Sequence, residues 1–220
     1  MRRNIMTSEL LTKLGDKSIK KEDFLQEIKQ DFRLVPVVID GLSSPKATIR
    51  YGCGKVLMDL SETDPDRLYK YMNTFVRLHE NKHKILVWNG TAIIANLARV
   101  DTDKKFDAIF DEYYSLLNDE YLVTVANTVA NSAKIALAKP YLIQKITYEL
   151  LATAKLATTP HLTKECKRVI WEKAIDSFTL FFDKIENKEK IIAFVSKHRN
   201  SPRKSLKKKA EAFLSRFGHE

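Results

Sequence analysis

The stretch that decides the fold runs from Leu42 to Leu60 and reads LSSPKATIRYGCGKVLMDL. It opens with Ser44 and Pro45. A Ser side chain accepts free amide hydrogens of a first helical turn, and Pro fits the first helical position. The apolar residues that follow recur at helical spacing, which predicts an amphipathic helix with one buried face. Such a helix needs a neighbour to cover its apolar stripe.

The same helix-start signal recurs along the chain. A small capping residue and a helix-compatible first turn stand at Ser44, Asn81, Asn118, Thr159 and Ser201, with spacings of 37, 37, 41 and 42 residues. The apolar residues after the first cap keep register, so that Tyr51 corresponds to Trp88. Neither helix of such a unit can bury its stripe alone, whereas stacked units share one continuous core. The sequence therefore predicts an all-α repeat protein.

The repeat also sets the predicted organisation, which is one domain over residues 1 to 220. We expect an N-terminal helical cap over residues 1 to 30, central repeats over 31 to 185 and a basic terminal repeat over 187 to 220. About five antiparallel helix pairs are expected. Their predicted ranges are 31 to 61, 65 to 100, 103 to 138, 140 to 185 and 187 to 217.

The stretch from Leu42 to Leu60 resembles the HEAT repeat, whose second helix opens with a hydrophobic-Arg pair and continues with small residues and a late Leu. Ile49 and Arg50 form that pair here, and Cys53, Gly54 and Leu60 follow it. The resemblance implies a right-handed superhelical solenoid of the HEAT/armadillo type. It also implies that the second helices line a concave surface for docking proteins or nucleic acids. It implies no particular activity.

Three polar residues are candidates for that concave surface, namely Arg50, Asn89 and Asn127. Asn89 and Asn127 align when the chain is shifted by 38 residues. They form either a polar ladder along the inner surface or local hydrogen bonds between neighbouring helices. Arg50 either contacts a ligand or braces adjacent turns. Trp88 and Trp171 could stack on a ligand, but core packing is the expected role of both.

Net charge adds a candidate site for an anionic partner. The chain carries 38 basic and 28 acidic residues, a net charge of +10. Residues 184 to 220 hold eleven of the basic and four of the acidic residues, and therefore seven of the ten net charges. This end could contact phosphates, or it could be a capping repeat made soluble by charge. The candidate residues are Lys197, Arg199, Arg203, Lys204, Lys207, Lys208 and Lys209.

One motif suggests a metal, and the repeat argues against it. Residues 79 to 83 spell HExxH, which binds zinc only when both imidazoles lie one turn apart on one helix. The repeat register instead puts Asn81 at a helix start, so His79 and His83 belong to different helices. We therefore expect no metal and no cofactor. Cys53 and Cys166 lack the spacing of a zinc or redox site and are expected to be small buried hydrophobes.

These observations favour a non-catalytic binding scaffold for a protein partner, in a reducing cytoplasm and without a membrane segment. The alternative is a sequence-nonspecific nucleic-acid binder that uses the basic end. A HEAT-like alkylpurine DNA glycosylase is the one enzyme class to consider, because Trp171 stands beside Glu172 and near Asp176. The Trp-rich run and the Arg-dense second helices associated with that class are both missing, so we expect no enzyme.

Overall fold

The computed structural model describes the backbone of residues 2 to 218 and the side chains of residues 9 to 218. Over that range it contains fourteen α-helices and no β-strand, which confirms the all-α prediction. The α-helices are α1 (Arg2–Gly15), α2 (Lys21–Gln30), α3 (Val35–Gly41), α4 (Ala47–Thr63), α5 (Pro65–Tyr69), α6 (Met72–Val76), α7 (Lys84–Leu97), α8 (Lys105–Ala108), α9 (Phe110–Ser115), α10 (Leu122–Ala138), α11 (Ile143–Ala152), α12 (Lys164–Phe181), α13 (Lys188–Ser196) and α14 (Lys204–Phe217). Short 3₁₀ segments connect or extend several of them.

The chain divides into two compact units, residues 1 to 105 and residues 106 to 220. Among the described helices, none is both long enough and apolar enough to cross a membrane.

In the N-terminal unit the two long helices α4 and α7 pack side by side, and α1, α2 and α3 pack against α4. Apolar residues such as Leu57, Phe75 and Ile93 are fully buried, and this removal of apolar surface from water drives the packing. Polar side chains also join the two long helices. Asn96 Nδ2 donates a hydrogen bond of 2.8 Å to Ser61 Oγ, and both residues are buried.

In the C-terminal unit α10 packs against α12, and α12 packs against α14. The Ser177 hydroxyl donates a hydrogen bond of 2.9 Å to the Val129 carbonyl, which ties α12 to α10. Phe182 contacts Phe213 and Phe217 of α14, with ring centroids 5.1 and 4.5 Å apart. Aromatic packing of this kind closes the core at the basic end.

The first helix of two predicted pairs is broken into two short pieces. The breaks fall at Tyr71, with φ −99° and ψ 9°, and at Ile109, with φ −109° and ψ 9°. These residues are 38 positions apart, so the break is part of the repeat. Around Tyr71 the amides switch to i to i+3 hydrogen bonds, since Tyr71 N–H donates to the Leu68 carbonyl. The single helices predicted at these places are therefore wrong in detail.

The predicted helix starts are too early by a few residues. Ser44, Asn81 and Ser201 each accept a hydrogen bond from the amide two residues on, with distances of 3.2, 2.9 and 3.2 Å. They therefore shape a turn, and the helix begins three residues after each of them. Thr159 differs, because its hydroxyl accepts from the Leu162 amide at 2.9 Å and its own amide donates to the Leu162 carbonyl at 3.1 Å. Thr163 supplies the actual cap of α12 by accepting from the Cys166 amide.

Candidate functional site

The long helices present a recurring stripe of residues to solvent. On α4 the second, fifth and ninth residues are Thr48, Tyr51 and Lys55, and on α7 they are Ile85, Trp88 and Ala92. All six are exposed or half-buried, and Ile85 is 40% exposed. Because a helix advances about 100° per residue, these positions share one face. We call the surface formed by Tyr51, Met58, Ile85, Trp88 and Ala92 the aromatic stripe.

In the C-terminal unit α10 exposes the same helical positions. Val123, Ala126 and Ala130 occupy them, and each lies 38 residues after its counterpart on α7. Val123 is 42% exposed and Leu137, further along the same face, is 46% exposed. The exposed position is therefore a property of the repeat, while the aromatic side chains belong to α4 and α7 alone among these three helices.

Tyr51 is held in place by two neighbours. The Arg50 guanidinium carbon lies 4.7 Å from the centroid of the Tyr51 ring, and Arg50 Nη2 donates to the Tyr51 hydroxyl at 3.4 Å. The ring of His83 meets it edge-on, with centroids 6.1 Å apart. Partial desolvation lowers the pKa of His83, and the charges of Arg50 and Lys82 lower it further. These effects favour the neutral form of the His83 ring beside Tyr51.

The three residues predicted for a concave surface lie beneath or beside this stripe. Arg50 Nη1 donates to the carbonyls of Ser44 at 2.7 Å and Pro45 at 3.3 Å, so it braces the loop before α4. Asn89 is only 8% exposed and donates to Met58 Sδ at 3.7 Å. Asn127 is half-buried, and its backbone carbonyl accepts a hydrogen bond from Asn131 Nδ2.

Sequence reasoning missed Tyr51 and Trp88 as surface residues. It assigned Trp88 to the core, whereas the ring is half-buried on the solvent side of α7. The sequence did contain a clue. Tyr51 and Trp88 are 37 residues apart and occupy the same position of their helices, and on α7 that position lies outside the buried face of Leu86, Ile93 and Leu97. Trp171 is half-buried like Trp88, but its Nε1 donates to the Thr153 carbonyl at 3.1 Å and its ring stacks on His198.

Two of the seven basic candidates at the C-terminal end are bound by acids of α12. Arg203 pairs with Glu165 at 2.7 Å and with Glu172 at 2.9 Å. Lys209 lies 2.5 Å from Asp176 and 3.4 Å from Glu172. Burial opposes ionisation of Glu172, but the hydrogen bonds from Arg203 and Ser205 and the charge of Lys209 outweigh it and lower its pKa. These two cations already have anionic partners.

The remaining basic candidates point in different directions. Lys204 and Lys208 lie one turn apart on the exposed side of α14, opposite the buried Leu206. Arg199 lines a cavity of about 370 Å³ between α13 and α14, together with Glu211, and Glu211 lies 3.8 Å from Lys207. Lys197 is exposed at the end of α13. Three of the seven therefore pair with an acidic side chain, and Lys204 and Lys208 stay exposed on α14.

The HExxH residues are separated by a helix boundary, as the repeat register predicts. His79 lies in the 3₁₀ segment Arg77–Glu80, and His83 precedes α7. Burial lowers the pKa of His79 to about 4. Within the described residues no three His, Cys, Asp or Glu side chains are grouped to hold a metal. Cys53 is buried, which raises its thiol pKa to about 12, and Cys166 is half-buried.

Within each unit, short helices alternate with long ones and pack against them, which is typical of an armadillo/HEAT-like repeat fold. Solved structures with this fold match the chain over most of its length. A designed armadillo repeat protein, YIII(Dq)4CqI, superposes with a TM-score of 0.63 and 19% identity, covering 93% of this chain and 90% of that one. Computationally designed armadillo repeat proteins for modular peptide recognition give 0.63 and 17%, covering 96% and 93%.

A third structure is a designed armadillo repeat protein in complex with the peptide (KR)4. It superposes with a TM-score of 0.59 and 15% identity, covering 94% of this chain and 91% of that chain. No family model and no curated protein matches the sequence. These similarities confirm an armadillo-like repeat solenoid.

Proposed function

We propose that this chain is a non-catalytic scaffold that binds an extended peptide segment of a protein partner through the aromatic stripe. One observation carries the proposal. Tyr51 and Trp88 occupy the same position in successive long helices and remain half-exposed, although large aromatic side chains in a repeat core are normally covered. Aromatic residues at this degree of exposure are the usual anchors of interfaces.

The chemistry of the stripe suits a peptide. Ala92 is small, so it leaves room beside Trp88, and Met58 offers a side chain that adapts its shape to different partners. Two of the matched armadillo structures are described as recognising peptides. That property is theirs, and it supports peptide binding here only through the shared fold.

The finer architecture is part of the proposal. We propose that the chain comprises about five helix pairs of the right-handed HEAT/armadillo type, because the cap spacing recurs along the sequence without a linker. A protein partner in the cytoplasm fits two cysteines that have no disulfide or metal spacing. No metal, cofactor or enzymatic activity, including glycosylase activity, is proposed.

Nucleic-acid binding at the C-terminal end is the weaker alternative. Arg203 and Lys209 already pair with Glu165, Glu172 and Asp176. A phosphate would have to compete with these carboxylates. The exposed lysines that remain are better explained as the polar outer face of a terminal repeat.

A random-peptide library selected on the full chain tests the proposed function. Peptides recovered are then measured against Trp88→Ala and against Tyr148→Ala, which removes an aromatic ring that is 72% exposed on α11. We expect Trp88→Ala to weaken binding by roughly tenfold or more, as loss of an aromatic anchor does, and Tyr148→Ala to leave it unchanged. Equal effects of both changes, or no recovered peptide, would overturn the proposal.

A further inference from the structure

A cavity of about 490 Å³ opens in the N-terminal unit between the end of α1 and the first turns of α2 and α4. Its apolar lining comes from Leu14, Ile19, Ala47, Tyr51 and Gly52. Ligand pockets generally span about 300 to 1,000 Å³. The cavity therefore has room for one large apolar side chain together with part of its backbone.

Hydrogen bonds hold the loop that forms one wall of the cavity. The amide and hydroxyl of Ser18 both donate to Asp16 Oδ1, at 2.9 and 2.6 Å. The Ile19 amide donates to the Lys13 carbonyl at 3.2 Å. The Thr48 hydroxyl donates to the Gly15 carbonyl at 3.2 Å and so joins α4 to the end of α1. A wall fixed in this way loses little entropy when a ligand enters.

The rim of the cavity is cationic. Lys17, Lys20 and Lys21 line it, and among residues 9 to 218 no acidic side chain forms an ion pair with any of them. Glu22 is the one acid in the lining. The first turns of α2 and α4 also lie here, and neither helix start has a side-chain cap. Both helix starts add positive potential at this place, and the C-terminal end of α1 offsets part of it, so the three lysines supply most of the positive charge.

We propose that this cavity binds an acidic peptide segment, with one large apolar side chain in the cavity and neighbouring carboxylates on Lys17, Lys20 and Lys21. The cavity adjoins the aromatic stripe, because Tyr51 belongs to both. The proposal rests on the proposed function and adds the chemistry of the partner. Charge complementarity selects an acidic segment, and the apolar lining selects its anchor.

The direct probe is a fluorescein-labelled peptide of glutamates with one central phenylalanine, titrated with the full chain by fluorescence anisotropy. Two matched peptides accompany it, one with serine in place of phenylalanine and one with lysines in place of the glutamates. We expect the first peptide to bind, the serine peptide to bind at least about tenfold more weakly because the buried ring is lost, and the lysine peptide not to bind.

Variants then locate the site. Lys17→Gln, Lys20→Gln and Lys21→Gln together should weaken binding about tenfold, from three surface charges worth about twofold each. Ala47→Trp should block the cavity and abolish binding. The matched control is Lys197→Gln, Lys204→Gln and Lys208→Gln, which removes the same charge from the other unit and should change binding less than about twofold. Urea midpoints show that each variant folds.

The proposal is overturned if the glutamate–phenylalanine peptide does not bind, or if the cavity variants and the control lose affinity equally. Its failure is separable from failure of the proposed function. Library peptides that depend on Trp88 but tolerate Ala47→Trp and the three lysine changes would leave the scaffold proposal standing and remove this one.

Discussion

The Tyr69 hydroxyl donates a hydrogen bond of 2.6 Å to Oδ1 of Asp101, 32 residues further along the chain. Tyr69 ends α5, and Asp101 follows the 3₁₀ turn that extends α7. Asp101 is 8% exposed and also accepts from the Lys105 amide at 2.8 Å. The bond therefore joins the start of one repeat to its end.

Hydrogen bonds at equivalent positions occur in the C-terminal unit, but different residues form them. Asp107 lies 38 residues after Tyr69 and accepts from the Tyr141 hydroxyl at 2.8 Å, so that acid and tyrosine exchange places. Gln144 lies 37 residues further on and donates to the Lys184 carbonyl at 3.2 Å. The repeat geometry thus places a hydrogen bond at the same position in each of these repeats, while the residues that form it change.

Loss of the hydrogen bond between Tyr69 and Asp101 should destabilise the chain. Tyr69→Phe removes the hydroxyl that bonds a nearly buried carboxylate, and we expect the free energy of unfolding to fall by about 1 to 2 kcal/mol. Urea unfolding followed by circular dichroism measures it. Tyr148→Phe makes the same change on an exposed ring and should have no measurable effect. Equal stability of the Tyr69 variant and the native chain would show that this hydrogen bond contributes nothing.

Gly90 should not tolerate a side chain. A Cβ there would lie 2.9 Å from the Phe75 carbonyl oxygen and 2.9 Å from Leu78 Cβ. Because a backbone atom cannot turn away as a side chain can, we expect Gly90→Ala to lower the free energy of unfolding by about 1 to 3 kcal/mol. Alanine usually stabilises a helix relative to glycine, so an increase in the urea midpoint would contradict the close approach of α6 and α7.

His198 should make stability depend on pH. Burial, with a contribution from Lys197, lowers its pKa to about 4, below its ordinary value of 6.5. The folded state therefore favours neutral His198. Its contribution is complete above pH 6.5 and is lost as the pH falls from about 6.5 to about 4, by up to about 1.4 kcal/mol per pH unit.

Urea midpoints at pH 7.5, 6 and 5 measure this effect. His198→Phe keeps an aromatic ring against Trp171 but cannot be protonated, so its stability should fall less steeply over that range. His79 remains in the variant and retains its own share, because its pKa is also lowered to about 4. Identical pH profiles for the native chain and the variant would contradict the burial of His198.

Binding to nucleic acid should be weak and carry a shallow salt dependence. Each phosphate neutralised on duplex DNA adds about 0.9 to the salt slope, so seven contacts give about 6 and the four candidates without an ion pair give at most about 4. Those four, which have no ion pair with any side chain of residues 9 to 218, are Lys197, Arg199, Lys204 and Lys208. Anisotropy with mixed-sequence DNA across salt concentrations measures the slope, and a value near 6 would revive the alternative.

Glu172→Gln provides the matching test of the ion pairs. It weakens the hold of α12 on Arg203 and Lys209, so DNA binding should become stronger and its salt slope steeper. Lys204→Glu, Lys207→Glu and Lys208→Glu together should weaken whatever binding there is. If Glu172→Gln leaves DNA binding unchanged, the pairs do not limit access to these cations.

Periodicity was enough to predict the long helices, because each apolar stripe must be covered and the stripes recur about every 37 residues, but it did not predict the breaks at Tyr71 and Ile109. Helix starts were less predictable, since Ser44 and Asn81 can close a turn or cap a helix with the same side-chain oxygen. The site depended on tertiary context. Whether Trp88 is covered or exposed follows from which neighbours pack on α7, and the acids that bind Arg203 lie more than thirty residues away in sequence.

The central claim is that the aromatic stripe is the peptide-binding surface, and the two tryptophans of the chain allow a direct measurement. Trp171→Phe leaves Trp88 as the single tryptophan, and Trp88→Phe leaves Trp171. A library-selected peptide without tryptophan is titrated into each variant while the emission maximum is followed. We predict a blue shift that saturates in the first variant, because the peptide covers half-exposed Trp88, and no shift in the second. A shift from Trp171 with an unchanged Trp88 would contradict the account.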